Sequence, residues 1–209
     1  MFTRRHLLCA LPAWGMSLAS CSSPGPMAAG PQPTIVSVVQ WGGTPTPLPA
    51  RAQTISHITI HHQGEIWDPA AAVPAYLVRL QNWSRGIKGW SDIPYHYIVA
   101  PDGSVYAGRP WQIAGDTNTE YQPQGHALLM LLGNFEVQHP TEAQMHATAW
   151  LLARLQNQFQ LGSNTIASHL DYSSQTVCPG AHLYARLGEL KAEAEKLRLA
   201  QTVQMGPAL

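Results

Sequence analysis

The sequence predicts a single α/β domain in which helices cover one mostly buried sheet. Short segments rich in β-branched residues alternate with longer segments of helical periodicity, and this order places a sheet between layers of helix. Residues 127–132 form a continuous apolar run, which is typical of a strand buried on both faces. A chain of 209 residues is long enough to bury a sizeable core in one domain.

Strands are predicted where short apolar or β-branched segments are bounded by turn residues. The sequence Pro-Asp-Gly at residues 101–103 is a turn signal between two short strands. A later strand leads directly into His169. We expect the strands at residues 34–40, 55–61, 95–100, 104–107, 127–132 and 166–168.

Three helices are predicted from the spacing of their apolar residues. The first covers residues 69–84 and is amphipathic. The second has a defined start, because Thr141 can cap it while Gln144, three residues on, completes a capping box. The third, at residues 181–199, is apolar early and rich in Lys and Glu later. The core stripe of the second helix is expected to contain Met145, Ala149, Leu152 and Phe159.

A secretory signal is predicted at residues 1–20. The basic opening with Arg4 and Arg5 precedes an apolar run at residues 7–14, which is too short to span a bilayer. The arginine pair fits twin-arginine export and also a plain basic start, so both export routes stay open. No later apolar stretch reaches the roughly 20 residues that a spanning helix needs.

Cys21 is the predicted site of lipidation. It closes Leu18-Ala19-Ser20-Cys21, which is similar to a bacterial lipobox, where the chain is cut before the cysteine and its sulfur is acylated. Residues 21–33 are then a lipidated, flexible tether rich in Pro, Gly, Ser and Ala. Ser22 favours the outer membrane of a Gram-negative bacterium, on its periplasmic side. We expect the protein to contact the membrane only through this anchor. We also expect it to be a monomer.

The charge balance argues against a nucleic-acid partner. Lys and Arg number 12 and Asp and Glu number 12, and charged residues make up only 11% of the chain. No basic run or stripe follows the signal, and such a run is what binding to phosphates requires.

Cys178 is predicted to be the one free thiol of the mature chain, since Cys9 lies in the signal and Cys21 carries the lipid. A lone thiol in an oxidising compartment has no disulfide partner. It is either a small buried hydrophobic residue or a metal ligand. His169, nine positions earlier, favours the ligand, because Cys and His both bind zinc and a loop of this length can close around an ion.

His61 and His62 end the second predicted strand. Side chains alternate across a strand, so only one of the two can face a given site. A catalytic zinc needs three protein ligands and an open position for water. His61, His169 and Cys178 would supply these three, whereas a structural zinc would require a fourth ligand.

Several segments together resemble a known family. Residues 58–62 (ITIHH), 89–97 (GWSDIPYHY) and 168–180 are similar to motifs of the zinc-dependent N-acetylmuramoyl-L-alanine amidases, and residues 101–109 and 132–136 extend the match. These enzymes share their fold with phage amidase-type lysozymes and animal peptidoglycan recognition proteins. The resemblance runs from about residue 55 to about residue 187. The predicted domain covers residues 34–200, and a tail at residues 201–209 follows it. The resemblance implies a mixed sheet flanked by helices and a groove for glycan and stem peptide.

The resemblance also assigns roles to residues. His61, His169 and Cys178 match the zinc ligands of catalytic members. Tyr95 matches a tyrosine whose hydroxyl lies beside the metal-bound water, and Thr176 matches a position held by lysine or threonine. The other reading of Tyr95 is a core aromatic residue, and that of Thr176 is a loop hydroxyl bonded to the backbone.

The chain departs from the family pattern at several positions. Met130 stands where some relatives have a glutamate that acts as general base, so this chain looks like the tyrosine-type branch. Ile113 stands where many relatives have histidine, and the loop before Cys178 is one residue longer than usual. His126 either restores a groove histidine or is a solvated residue at a strand end, which we expect. Ile113 and His126 match positions near the groove in relatives, so these two departures concern peptide preference more than metal binding.

Asp171, two residues after His169, has two interpretations: it orients that histidine, or it is a solvated loop carboxylate or part of an Asx turn. The remaining histidines are expected to be structural or exposed, and they are His57, His96, His139, His146 and His182.

Three functions follow from these expectations. The first is a lipid-anchored zinc amidase that cuts the bond between N-acetylmuramic acid and L-alanine in peptidoglycan or muropeptides. The second is a recognition domain that binds peptidoglycan without cutting it. The three ligands and Tyr95 favour the enzyme, because non-catalytic members typically lose the cysteine. The third is a zinc hydrolase acting on another amide.

Overall fold

The computed structural model describes residues 32–49 and 52–200. Every described helix and strand lies in one compact unit, Gln32–Leu209. The predicted signal, Cys21 and most of the predicted tether lie outside the described residues, as does the predicted tail at residues 201–209. Within the described part of the chain, no helix is both long and apolar enough to cross a membrane.

Six strands and four α-helices make up the described fold, together with two short 3₁₀ turns at Ser163–Thr165 and His169–Asp171. In chain order the elements are β1 (Ile35–Val36), β2 (His57–His62), α1 (Val73–Gly86), β3 (Tyr97–Val99), β4 (Val105–Ala107), β5 (His126–Leu131), α2 (Glu142–Phe159), β6 (Ile166–Ser168), α3 (Ala181–Tyr184) and α4 (Leu187–Leu199).

The strands form one mixed sheet in the order β1-β4-β3-β5-β2-β6. Only β3 and β4 pair antiparallel among the described strands, because the tight turn at residues 101–103 joins them. The other pairings, including β2 with β5 and β2 with β6, are parallel. The predicted α/β class with a mixed central sheet is confirmed.

The two faces of the sheet are covered by different helices. Side chains alternate along β2, so Ile58 and Ile60 join the larger core, which contains the buried side chains of α2 and α4. Met130 of β5 points the other way, into a second cluster with Leu77 of α1. His61 shares this second face, because it is paired in register with Met130.

Helix α2 follows the sequence prediction closely. The Thr141 side chain accepts a hydrogen bond from the Gln144 amide at 3.0 Å, and the Gln144 side chain accepts one from the Thr141 amide at 3.1 Å. This is the reciprocal pair of a capping box. Of the predicted core stripe, Met145, Ala149 and Leu152 are buried and Phe159 is partly buried.

Three predicted elements differ from the structure. The first strand is only Ile35–Val36 long, because the Gln40 side chain accepts from the Ser37 amide at 2.8 Å and closes a turn.

Helix α1 begins at Val73 rather than at residue 69. Asp68 forms a local bond with the Ala70 amide at 2.9 Å, and the proline that follows Val73 suits a helix start.

The predicted single helix at residues 181–199 is two helices. The chain leaves helical geometry at Arg186, with φ −98 and ψ 3. Arg186 there binds Glu142 at the start of α2 at 2.8 Å, and the break turns Leu187, Leu190 and Ala194 onto the core. Packing against α2 therefore overrides the local helical pattern.

Candidate metal centre

The three predicted ligands come together at one edge of the sheet. His61 lies near the end of β2, and His169 follows β6 directly. Since β2 and β6 are parallel and Ile60 is paired with Ser168, the two histidines lie side by side. One ligand atom from each of His61, His169 and Cys178 lies within 4.8 Å of the others.

Backbone bonds hold Cys178 against the two histidines. The Leu170 amide donates to the Cys178 carbonyl at 2.8 Å and closes the loop after β6. The Cys178 Sγ accepts from the His62 amide at 3.3 Å and lies 3.6 Å from His61 Nδ1. Gly180 has φ +87, and a Cβ there would lie 2.4 Å from the Phe135 carbonyl carbon, so only glycine fits this approach.

Burial controls the protonation of the cluster. Burial lowers the pKa of His61 well below its usual value, and the neighbouring His169 lowers it further. The pKa of His169 is also lowered by burial, although the charge of Glu120 opposes this. Both imidazoles are therefore neutral at neutral pH, as metal ligands must be. Burial raises the pKa of the Cys178 thiol to about 12, while the bond from His62 lowers it in part.

The donor set fits a zinc ion. His61 Nδ1 lies 3.6 Å from Cys178 Sγ, a separation that two ligands of one tetrahedral zinc ion can have. Two imidazoles and one thiol are donors that zinc prefers. No fourth His, Cys, Asp or Glu belongs to this cluster in the described part of the chain. Three protein donors match a catalytic zinc site, which keeps one position open.

Tyr95 lies beside this cluster, just before β3. Its ring centroid is 5.2 Å from that of His61. Burial raises the pKa of the Tyr95 hydroxyl well above its usual value, and Cys178 raises it further. The hydroxyl therefore stays protonated and can donate a hydrogen bond toward the cluster.

Thr176 bonds to the backbone of the same loop. Its Oγ1 accepts from the Cys178 amide at 3.0 Å. This is the loop role that the sequence left open for Thr176. The hydroxyl hydrogen is not used by that bond, so the same side chain can also donate to a bound substrate.

Asp171 does not bind His169. Its carboxylate accepts from the Ser168 amide and hydroxyl, both at 2.8 Å, and from the Tyr184 hydroxyl at 2.9 Å. The structure thus favours the second interpretation of Asp171, a carboxylate that serves the local backbone. His169 is instead held by Thr119, whose Oγ1 lies 2.7 Å from His169 Nε2. No pattern in the sequence pointed to Thr119, which lies in an irregular loop 50 positions away.

The side chain of His62 faces the opposite side of β2, as strand alternation predicts. Its Nδ1 accepts from the Phe135 amide at 3.2 Å, and burial lowers its pKa. Met130, in register with His61, is almost fully buried. Where some relatives have a glutamate, this chain therefore has an apolar side chain.

The expectation that His126 is solvated is wrong. His126 is 7% exposed, and its Nδ1 lies 2.8 Å from the Thr59 hydroxyl. It stacks on His57 with ring centroids 4.9 Å apart. Tyr121 connects this pair to the metal centre, with centroids 5.7 Å from His126 and 5.0 Å from His169. The pairing depends on the β2–β5 register, which sequence alone does not fix.

The comparisons with known proteins identify the family. A family model described as N-acetylmuramoyl-L-alanine amidase matches residues 51–181. Peptidoglycan-recognition protein SC2 of Drosophila melanogaster is 31% identical over 153 residues, which are 72% of this chain and 83% of that protein. The chain therefore belongs to the family of type 2 N-acetylmuramoyl-L-alanine amidases and peptidoglycan recognition proteins.

Solved structures agree with this assignment. The ectodomain complex of peptidoglycan recognition proteins LCa and LCx, bound to tracheal cytotoxin, gives a TM-score of 0.64 at 29% identity, over 74% of this chain and 95% of that chain. The N-acetylmuramoyl-L-alanine amidase LysC of Clostridium intestinale gives a TM-score of 0.64 at 24% identity, over 78% of this chain and 99% of that chain. The LysC similarity concerns the fold alone.

Proposed function

We propose that this chain is a zinc-dependent amidase that hydrolyses the amide bond between N-acetylmuramic acid and L-alanine in peptidoglycan or its fragments. The observation that carries this proposal is the convergence of His61, His169 and Cys178 within 4.8 Å beside Tyr95. Membership of a family that includes amidases supports it. When bound, zinc supplies a Lewis acid that activates water near neutral pH and polarises the scissile carbonyl.

The protein contributes ligands and hydrogen-bond donors. His61 and His169 are neutral and presented by adjacent parallel strands, so little rearrangement is needed for them to bind the metal. Tyr95 keeps its proton and donates to the carbonyl oxygen as negative charge develops there. Thr176 is a second donor, fixed in place by its bond to the Cys178 amide.

A domain that binds peptidoglycan without cutting it is the alternative, since relatives of the chain carry recognition-protein names. Digestion of purified peptidoglycan by wild type and Tyr95→Phe, with products identified by mass, separates the two functions. We expect wild type to release stem peptides that start at L-alanine. Tyr95→Phe should keep zinc and peptidoglycan binding but lose about 10²-fold in kcat. Wild type that binds peptidoglycan and releases nothing would favour the recognition domain.

We also propose that the chain is anchored by lipid at Cys21 on the periplasmic side of the outer membrane. The support is the sequence of residues 1–33 alone. Mass analysis of the mature amino terminus tests it: an acylated Cys21 is expected, and a mature chain that retains residues 1–20 contradicts it.

A further inference from the structure

An exposed group of side chains lies at the end of α1, and we call it the aromatic tip: Trp83, Ile87, Lys88 and Trp90. Ile87 is 75% exposed and Trp83 is 43% exposed. Large apolar side chains grouped at the surface mark an interaction site more often than single ones do. None of these residues contacts the metal centre in the described contacts.

The aromatic tip is a preformed shape. The amides of Ile87 and Lys88 both donate to the Trp83 carbonyl, at 2.9 and 3.2 Å, and the Trp90 amide donates to the Ser84 carbonyl at 3.0 Å. Gly89 allows the turn, with φ +68. The two indole rings pack edge to face with centroids 5.9 Å apart. The backbone that carries Ile87 is therefore already ordered, so little backbone freedom is lost on binding.

The charged residues of the segment that carries the aromatic tip are all positive. The segment 73–90 contains Arg79, Arg85 and Lys88 and no Asp or Glu, although the chain as a whole has 12 residues of each sign. The Lys88 ammonium lies 5.7 Å from the Trp83 ring and 5.2 Å from the Trp90 ring. Arg85 is paired with Asp92 at 3.3 Å, so Arg79 and Lys88 supply the positive charge of the segment. This segment therefore suits a partner surface with negative charge.

The strand directions indicate that the aromatic tip and His61 lie at opposite ends of the path of α1. Helix α1 connects β2 to β3, and both strands run parallel to β5, so α1 runs back from the carboxyl ends of the strands to their amino ends. Its 14 residues span about 21 Å. His61 lies near the carboxyl end of β2, at the start of this path. The length of α1 thus separates the tip from His61.

We propose that the aromatic tip binds the interface of an anionic lipid bilayer, independently of any anchor at Cys21 and of the proposed amidase activity. Indole rings and lysine side chains favour the headgroup region, and the aliphatic Ile87 can enter the acyl boundary. Anionic headgroups complement the positive segment. Glycan is a poorer match, because sugar rings stack on open indole faces whereas Lys88 lies over both rings here.

Vesicle binding tests this proposal. The fragment 22–209 lacks the anchor and keeps the compact unit Gln32–Leu209. It is sedimented with vesicles of phosphatidylglycerol and phosphatidylethanolamine, or of phosphatidylcholine alone. Ile87→Ser and Trp83→Ala are compared with Ile66→Ser, a matched control because Ile66 is 69% exposed and lies outside the tip.

We expect the fragment to bind the anionic vesicles, to bind them about tenfold more weakly after Ile87→Ser or Trp83→Ala, and to bind unchanged after Ile66→Ser. Added salt and neutral vesicles should both weaken binding. No binding to the anionic vesicles, or equal binding by all variants, would overturn the proposal. The proposal would also be overturned if Trp83→Ala lost peptidoglycan binding but kept vesicle binding. That result would assign the tip to glycan.

Discussion

The surroundings of Cys178 keep its side chain in the protonated thiol form. Burial raises its pKa to about 12, and only the His62 amide favours the thiolate among the described causes. Zinc binds the thiolate. The proposed metal must therefore displace a proton from a side chain that holds it firmly, whereas His61 and His169 are already neutral and give up none.

Zinc binding at neutral pH should release about one proton from Cys178. Calorimetric titration with zinc at pH 7, in two buffers that differ in ionisation enthalpy, measures this number. Cys178→Asp is the matched control, because a carboxylate is ionised before the metal arrives and should release less than wild type. Zinc affinity should also rise with pH in wild type. Equal proton release by the two proteins would contradict the assignment of Cys178 as a ligand.

Thr176 should have two separable effects. Thr176→Val removes both the bond to the Cys178 amide and the free donor, so we expect kcat to fall by about tenfold or more and unfolding free energy to fall by about 1 kcal/mol. Thr176→Ser keeps the hydroxyl and should retain most of both. If Thr176→Val loses stability while its kcat, measured with zinc bound, is unchanged, the residue serves only the loop.

At the scale of elements, the sequence predicted those helix and strand boundaries that are set by interactions between neighbouring residues. The capping box of Thr141 and Gln144 located the start of α2, because the bonds that define that start are made by these two residues themselves. The break at Arg186 was not predictable from periodicity, since Arg186 there binds Glu142, 44 positions away, as well as the local Glu189. The short β1 likewise ends where the Gln40 side chain competes for the backbone.

The cap of α2 should contribute measurably to stability. Thr141→Ala removes the acceptor for the Gln144 amide and the bond that the hydroxyl donates to the Pro101 carbonyl at 2.6 Å. We expect a loss of about 1 kcal/mol in unfolding free energy, measured by urea denaturation. Thr141→Ser keeps both bonds and should cost less. An unchanged midpoint in Thr141→Ala would show that the capping box does not stabilise α2.

At the scale of the whole molecule, the metal centre is assembled from distant parts of the chain. His61 and Cys178 are 117 positions apart. Residue chemistry and family resemblance could select His61, His169, Cys178 and Tyr95 from the sequence. They could not select Thr119, or pair His126 with Thr59, because these contacts follow from loop placement and strand register.

Stability should fall on mild acidification, because histidines are buried in the neutral form. Burial lowers the pKa of His96 to about 4, against about 6.5 in an unfolded chain. Between these values the unfolded state binds a proton that the folded state does not. Unfolding free energy therefore falls as pH falls from about 6.5 to about 4, by about 1.4 kcal/mol per pH unit at most for this group.

Urea unfolding at several pH values between 4 and 7 measures this dependence. His96→Gln removes the titrating group while keeping a donor and an acceptor, and it should show a shallower decline than wild type. His139→Gln, at an exposed position, is the matched control and should decline as wild type does. Parallel declines for His96→Gln and wild type would contradict the role of His96.

The central claim is that His61, His169 and Cys178 hold a zinc ion that the chain uses to cut peptidoglycan. The most direct test measures zinc content and stem-peptide release on the same samples of wild type and Cys178→Ser. We predict about one zinc per wild-type molecule, together with release of free peptides starting at L-alanine. Both should be lost in Cys178→Ser. Wild type that retains no zinc, or a Cys178→Ser variant that cuts at the wild-type rate, would contradict the claim.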